Sequence, residues 1–399
     1  MRVGEVKDAV TSTHHRPVVF VVGMLDSPHL GRWLTTVATL DAEFVLFPSG
    51  PNRTIHPSIR ELIQGTQIAT FKTSGVESRL GLFMWAVDLV LRGWFRTKVL
   101  RRRFRHHRID LIHAVELQHA GYLVARALRG GGTQRPKVAL TNYGSDIYWY
   151  RRFPRHQRLL NEILAIGDFY SAECERDVEL AQQHGFGGQF LTVLPNAGGV
   201  SLASDTPVSD LVPAADRSVV LIKGYTNFVG RAQDLLREVS HRSSDFHGWD
   251  IVVYSSTTHA RVRCWWMRVR DRQLHICSIP KKHLSHAEML SLFSRSAAYV
   301  GFSRSDGIST SFLEALSTGA YPLQTSTACV DEWREKGAVF HSLDVEKPSD
   351  AVESLLAVLN DVTLRQQAMV SNLDVARQYL HVDKIAEAFR DDYRSVLGL

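Results

Sequence analysis

Asp306 and Glu314 stand eight residues apart in Ser-Arg-Ser-Asp-Gly-Ile-Ser-Thr-Ser-Phe-Leu-Glu-Ala-Leu-Ser-Thr-Gly, residues 303–319. A carboxylate only accepts hydrogen bonds, so two of them at this spacing suit a ligand rich in hydroxyls. Between them Gly307, Ile308, Ser309 and Thr310 open a short apolar helix that stops at Gly319. The free N–H groups of a helix start attract anions. Acids beside that start repel a bare phosphate. A nucleotide sugar, whose hydroxyls flank a diphosphate, satisfies both demands. The competing reading is structural. Ser311-Phe312-Leu313-Glu314 fits a capping box, and Asp306-Gly307 is an ordinary turn pair.

Other residues could share that chemistry. Lys223-Gly224 follows the apolar run from Ser218, and Gly230-Arg231 precedes a helix that begins at Ala232. A glycine turn with cations at a helix start suits a diphosphate. Asn142-Tyr-Gly144-Ser-Asp146-Ile-Tyr-Trp-Tyr150 puts a glycine, an acid and then three aromatics in one loop, a set that suits sugar hydroxyls and sugar ring faces. An N-cap by Ser145 or Asp146 fits the same residues. His113 ends Asp110-Leu-Ile-His, where it reads either as a site residue or as a hydrogen-bonded core histidine. His29 and Gly31 occupy the first loop, and His29 could equally cap local backbone.

The elements that position these residues alternate. Apolar runs at Pro17–Gly23, Glu43–Phe47, Leu111–Ile112, Val138–Thr141, Phe169–Ala172 and Phe190–Leu194 read as strands with helices between them. A second series follows at Ser218–Lys223, Asp250–Tyr254, Leu274–Ile279, Ala297–Phe302 and Ala320–Leu323. Strand, helix, strand at this spacing argues for parallel sheets with right-handed crossovers. Leu80–Leu100 reads as one long helix, and the chain beyond Thr325 as helical. Pro195-Asn196 ends the first series, and Ser201–Arg217, rich in Ser, Pro, Asp and Ala, reads as a linker.

Length and composition agree with two domains. The chain has 399 residues, 44% hydrophobic and 22% charged, with a net charge of +6. No run is long enough to cross a bilayer, and no signal peptide is visible. Cys174, Cys264, Cys277 and Cys329 are scattered without Cys-x-x-Cys, and Asp-x-Asp is absent, so free thiols and no metal are expected. Two segments, Arg92–Arg108 and Arg261–Arg272, mix arginines with aromatic residues. They suit an anionic membrane surface, where Trp265 and Trp266 could also be core with arginines snorkelling around them.

The 303–319 segment resembles the signature of the family-4 glycosyltransferases, retaining enzymes of the GT-B fold. That family carries an acid, seven residues, then Glu. Here the first acid is Asp306 where many members have Glu, one methylene longer. Gly144–Ile147 and Pro195–Asn196 resemble further family motifs. The resemblance implies an α/β chain of two Rossmann-like parallel-sheet domains facing across a cleft. Residues 1–200 are then the acceptor-side domain, 201–217 the linker and 218–375 the nucleotide-sugar domain, and 376–399 return to the first domain. It implies transfer of a hexose-type sugar, with retention, to a sugar or lipid-linked acceptor in cell-surface glycan synthesis. Asp306, Glu314 and His113 fall in catalytic places. Lys223, Arg231, Gly307, Ile308, Ser309, Thr310 and Glu314 fall in donor-binding places, and His29, Gly31, Gly144 and Asp146 on the acceptor side. The second histidine that the family often has two residues after the first is Val115 here, with His119 nearby. No cofactor or metal beyond the nucleotide sugar is expected, and no nucleic acid. The expected location is cytoplasmic, with peripheral contact to the inner face of the membrane. The alternatives are an epimerase of the same fold, and a nonenzymatic protein that binds membrane or nucleic acid. A dehydrogenase is disfavoured, because no Gly-x-Gly-x-x-Gly follows the first strand.

Overall fold

The computed structural model describes residues 15–50, 54–74, 85–88, 90–91, 93–130, 135–196, 198–200, 211–281 and 283–399. Two parallel sheets organise it. The first contains β1 (Val18–Gly23), β2 (Glu43–Pro48), β3 (Thr70–Thr73), β4 (Leu111–Val115), β5 (Lys137–Thr141), β6 (Phe169–Ser171) and β7 (Gln189–Phe190), in the order β3-β2-β1-β4-β5-β6-β7. The second contains β8 (Val219–Lys223), β9 (Asp250–Ser256), β10 (Ile276–Pro280), β11 (Ser296–Gly301), β12 (Tyr321–Thr325) and β13 (His341–Leu343), in the order β10-β9-β8-β11-β12-β13. Every pairing between these strands is parallel.

The central strands carry little but apolar residues because helices cover both faces of each sheet. β4 and β11 are buried at every position. The strand order reverses between β1 and β4, and again between β8 and β11. Ligands of open α/β sheets bind outside the carboxyl ends at such points. Lys223 ends β8, and His29, Glu116 and Asp306 follow the ends of β1, β4 and β11. The topology therefore assembles most of the chemistry-bearing candidates at two places.

The halves are joined by adjacent chain crossings. Val200 pairs with His381, and its N–H donates to the Leu380 carbonyl at 2.8 Å. A Cβ at Gly199 would lie 2.4 Å from the Leu380 oxygen, so a larger residue there would force the two strands of chain apart. The last helix, Val382–Leu397, then lies on the first half. Its buried Ile385, Phe389, Tyr393 and Val396 share one apolar cluster with Val21, Leu34 and Phe44 of the first half and Leu313 and Leu316 of the second. Full burial of such a side chain stabilises by about 1.5–3 kcal/mol. Polar ties add direction: the Thr192 N–H and hydroxyl reach the Asp392 carboxylate at 3.1 and 3.0 Å.

Several sequence expectations change. The chain beyond Thr325 is not wholly helical, since β13 pairs with β12 at the sheet edge. The strand expected at Phe190–Leu194 shrinks to Gln189–Phe190, and β3 was not foreseen. Residues 80–84, 89 and 92 of the long helix lie outside the described residues, as do 201–210 of the linker. Trp85–Asp88 is helical, but Gly93 adopts φ 85°, and a separate helix, Trp94–His106, begins there. Asp88 fastens that break by accepting from the Phe95 N–H at 2.7 Å. Cys277 is exposed, whereas the other three free thiols are buried.

His113 belongs to this framework and not to the cleft. It is buried against the Trp33 edge, with one ring nitrogen bonded to the Tyr393 hydroxyl and the other 2.7 Å from Thr141 Oγ1. Burial holds it neutral, down to about 3. The expectation that it serves catalysis is thereby corrected: one nitrogen ties β4 to the last helix and the other ties it to β5. Replacing Tyr393 by Phe leaves one of them unpaired. We expect a loss of about 1–3 kcal/mol in urea unfolding, and unchanged stability would show that the bond does not hold the crossing.

Candidate functional site

The loop 302–309 leaves β11, and the helix Thr310–Thr318 follows, ended by Gly319 at φ 75°. Its N-cap is Ser309, whose side chain makes no cap bond. Ser311 is inside the helix, so the capping box suggested by Ser311 and Glu314 does not form. That device occurs one helix earlier, between Ser285 and Glu288. Glu314 is instead buried, 3.6 Å from His286 Nδ1. Among the described residues no protein group accepts from the N–H of Ile308, Ser309 or Thr310. Three donors at a helix start are thus open to an anion.

Lys223, at the end of β8, lies beside them. Its ammonium donates to Ser309 Oγ at 3.3 Å and pairs with Asp306 at 3.8 Å. Burial works against its charge, but Tyr299, Asp306, Tyr225 and Glu314 outweigh that and hold it above the ordinary lysine value. Lys223 and Lys281 both approach the Tyr225 ring, 5.1 and 5.5 Å from its centroid. Lys223, Tyr225, Asp306 and Gln324 line a cavity of about 140 Å³, into which the Ser145 side of the first half also reaches. The buried Ser305 hydroxyl on that wall has no partner among the described residues.

The first half closes over this wall. Gly144 adopts φ 44°, and a Cβ there would lie 3.1 Å from Asp306 Oδ1. A Cβ on Gly307 would lie 2.5 Å from Glu173 Oε2 and 3.2 Å from the Gly144 nitrogen. The two loops therefore touch through glycine backbones. Arg176 clamps them, donating to the carbonyls of Asp306 at 2.8 Å and Thr327 at 2.9 Å while its plane lies 3.8 Å over Tyr148. Tyr150 meets Phe228 across the gap at 5.9 Å, so one of the three loop aromatics forms a ledge.

His29 stands on the opposite wall, open to solvent yet enclosed by the cleft. That enclosure, then Arg32 and Lys223, pull it down to about 4. Arg32 also acts on Glu314 and His286 from across the cleft. Burial, opposed by Arg32 and Lys223, raises Glu314 to about 7. Burial and the neighbouring Asp306 raise Glu173 to about 8, against hydrogen bonds from the Gly144 and Asn196 N–H groups.

Three expected site residues are used otherwise. Gly31 is buried in helix packing, where a Cβ would meet Ser58 Oγ at 2.2 Å. Asp146 is buried and accepts from the Leu117 N–H at 2.7 Å and the Tyr143 N–H at 3.2 Å, which fixes the turn after β4. The buried Glu116 beside it, at φ 88°, takes the Ser49 hydroxyl at 2.6 Å. Arg231 is held by Asp234 at 2.5 Å and Glu346 at 2.8 Å and does not line the cavity. His119 lies in a separate hollow of about 930 Å³ with Arg96 and His156. That hollow is larger than the cavity at Asp306, but no group in it adjoins the carboxylate pair.

Residues that the sequence did not single out replace them: Arg32, Lys281, His286, Tyr225 and Glu173. Arg32 had a signal, since it follows His29 by three residues on one helix face. The others come from separate elements and had none. One group with metal-ligand spacing occurs among the described residues, Cys174, Asp177 and Cys329, in which the two sulfurs are 2.8 Å apart. Arg176 and Asn142 already hold Asp177, each at 2.8 Å.

No family model matches the chain, and no curated protein is similar to it in sequence. Solved structures are similar in fold. HepE of Anabaena, solved with uridine diphosphate and glucose, is 13% identical, with a TM-score of 0.67 over 96% of this chain and 100% of that one. The trehalose-6-phosphate synthase of Burkholderia multivorans is 14% identical, with a TM-score of 0.65 over 96% and 98%. Sucrose-phosphate synthase of Thermosynechococcus elongatus is 13% identical, with a TM-score of 0.63 over 96% and 100%. This chain has the GT-B fold. Its two parallel sheets, joined by the returning last helix, follow that fold.

The raised carboxyls set a pH dependence. A group that holds its proton more tightly when folded favours the folded state at low pH, and that contribution is lost as pH rises through the folded value. For Glu173 the window runs from the ordinary carboxyl range to about 8. His29 and His113, whose values fall on folding, act below about 6.5. Between pH 6.5 and 8, stability should therefore decline with pH, and Glu173→Gln should make that decline shallower, leaving the part due to Glu116, which burial also raises to about 8. Urea midpoints across this range test it; an identical slope in the variant removes Glu173 from the account.

Proposed function

We propose that the chain is a retaining glycosyltransferase of the family-4 kind, moving a hexose-type sugar from a nucleoside diphosphate donor to a sugar or lipid-linked acceptor in glycan synthesis. One observation carries the reading. Three unclaimed N–H groups and Lys223 lie between Asp306 and Glu314, in a cleft that both halves wall.

In this reading the diphosphate rests on the amides of Ile308 to Thr310 and on Lys223, with Arg32 and Lys281 facing it. Glu314 accepts from ribose hydroxyls and Asp306 from the hexose. Donors preorganised where charge develops stabilise a leaving diphosphate most, because they need no rearrangement as the bond breaks. The histidines near the two acids, His29 and His286, are weak bases, pulled down to about 4 by burial and then by Arg32. The leaving phosphate oxygen then takes the acceptor proton as the acceptor approaches on the same face. The reading needs no metal. Gly144 and the Tyr150–Phe228 ledge adjoin the acceptor's side. No described helix is long and apolar enough to cross a membrane.

The test is a thermal-shift panel of nucleoside diphosphates and their sugars, begun with uridine because HepE was solved with uridine diphosphate. A ligand of the folded state at a hundred times its Kd adds ~2.7 kcal/mol. Glu314→Gln and Lys223→Ala should abolish that shift, and Glu314→Gln should lower kcat/KM by roughly 100-fold. Release of an altered nucleotide sugar without any acceptor would favour the epimerase. Absence of a shift with every nucleotide would remove the donor site.

A further inference from the structure

The helix Thr258–Arg270 has two apolar faces. Ala260, Cys264 and Met267 are buried against the second sheet. At 100° per residue, Val262, Trp265, Trp266 and Val269 fall on the opposite side. They are 51, 49, 52 and 49% exposed. A helix with only a core to meet would be polar on that side.

The charges frame this outer strip. Arg261 and Arg268 lie along one flank, Arg263 and Arg270 along the other, and the thirteen residues contain no acid. Among the described residues none of the four, nor Arg272, is in an ion pair. The next acid, Asp271, is taken by His247 at 2.9 Å. Trp265 and Trp266 pack edge to face at 4.7 Å, so the strip presents a continuous aromatic ridge between two aliphatic residues.

We propose that this face docks on an anionic lipid bilayer, with the tryptophans and valines entering the headgroup–acyl boundary and the arginines reaching lipid phosphates. Tryptophan favours that boundary, and arginines at the equator of an interfacial helix extend to headgroups. A second copy of the chain is disfavoured, because two such faces would bring uncompensated arginines together. Single-stranded nucleic acid would use the rings for stacking but gives Val262 and Val269 no role. The helix begins at the cleft rim, where the Thr257 N–H donates to the Gly224 carbonyl at 3.3 Å. Docking therefore places that rim near the headgroups. The proposal stands whether or not the cleft transfers a sugar.

The test is flotation of the full chain with phosphatidylcholine vesicles, with and without phosphatidylglycerol. The parent should float with the anionic vesicles, and brominated lipid should quench its fluorescence. Trp265→Ser with Trp266→Ser should weaken binding at least about tenfold, and Arg261→Gln with Arg268→Gln should weaken it and reduce its salt dependence. Both pairs are at the surface, so thermal midpoints should match the parent. Three results would overturn the proposal: parental flotation in the tryptophan variant, no flotation by the parent, or loss in that variant of self-association or nucleic-acid binding with vesicle binding intact.

Discussion

Everything at the site depends on two backbones that touch. Gly144 and Gly307 belong to different halves of the chain, and a Cβ at either would press on the other half, 3.1 Å from Asp306 Oδ1 at Gly144 and 3.2 Å from the Gly144 nitrogen at Gly307. Their contact brings Asp306 beneath the first half and brings Glu173 over the second. Arg176 then fixes the arrangement by bonding to carbonyls, which hold position and not charge. A cleft closed through side chains would adjust by rotamer changes. One closed through glycine backbones has little slack, so the groups at its rim keep their distances.

That closeness has an electrostatic consequence. Lys223, Arg32 and Lys281 face Asp306, Glu314 and Glu173 in a space from which water is partly excluded. Buried charges of one sign cannot persist there without partners. The acids yield first: burial raises Glu314 and Glu173 into the neutral range, whereas Lys223 keeps its proton more tightly than usual. Near pH 7 the cluster therefore leans positive, although its acids and cations are equal in number. A diphosphate brings the missing negative charge, and the hydroxyls beside it can meet either form of the carboxyls, which accept when ionised and donate when protonated.

The sheets were legible because parallel strands covered on both faces must be written as apolar runs, and β1, β8 and β11 are. Asp306 and Glu314 were legible because a loop, a helix start and its stop are local. What failed was long-range. His113 had the right position at a strand end, but its partner Tyr393 lies 280 residues away. Gly31 sits one loop from the cleft, yet Ser58 of the next helix fills the space beside it. Arg231 follows a glycine as a phosphate-binding cation would, and Asp234 and Glu346 consume it. In each case residue type and spacing placed the residue near a strand end but could not say which face it turns or what arrives from elsewhere to meet it.

The two basic, aromatic segments make the same point from opposite outcomes. In the first, the fold uses several of the charges: Arg96 pairs with the buried Asp88 at 2.6 Å, Arg101 donates to the carbonyls of Arg126 and Ala127, and Lys98 lies over the Trp94 ring at 3.9 Å. In the second, among the described residues, no acid reaches any of the arginines, and both tryptophans face outward instead of entering the core. Composition could not separate them, because both read as arginine mixed with aromatic residues. The difference lies in partners: a cation that has found a carboxylate or a helix end is part of the fold, and one that has found neither, beside exposed indoles, is still available to something outside it.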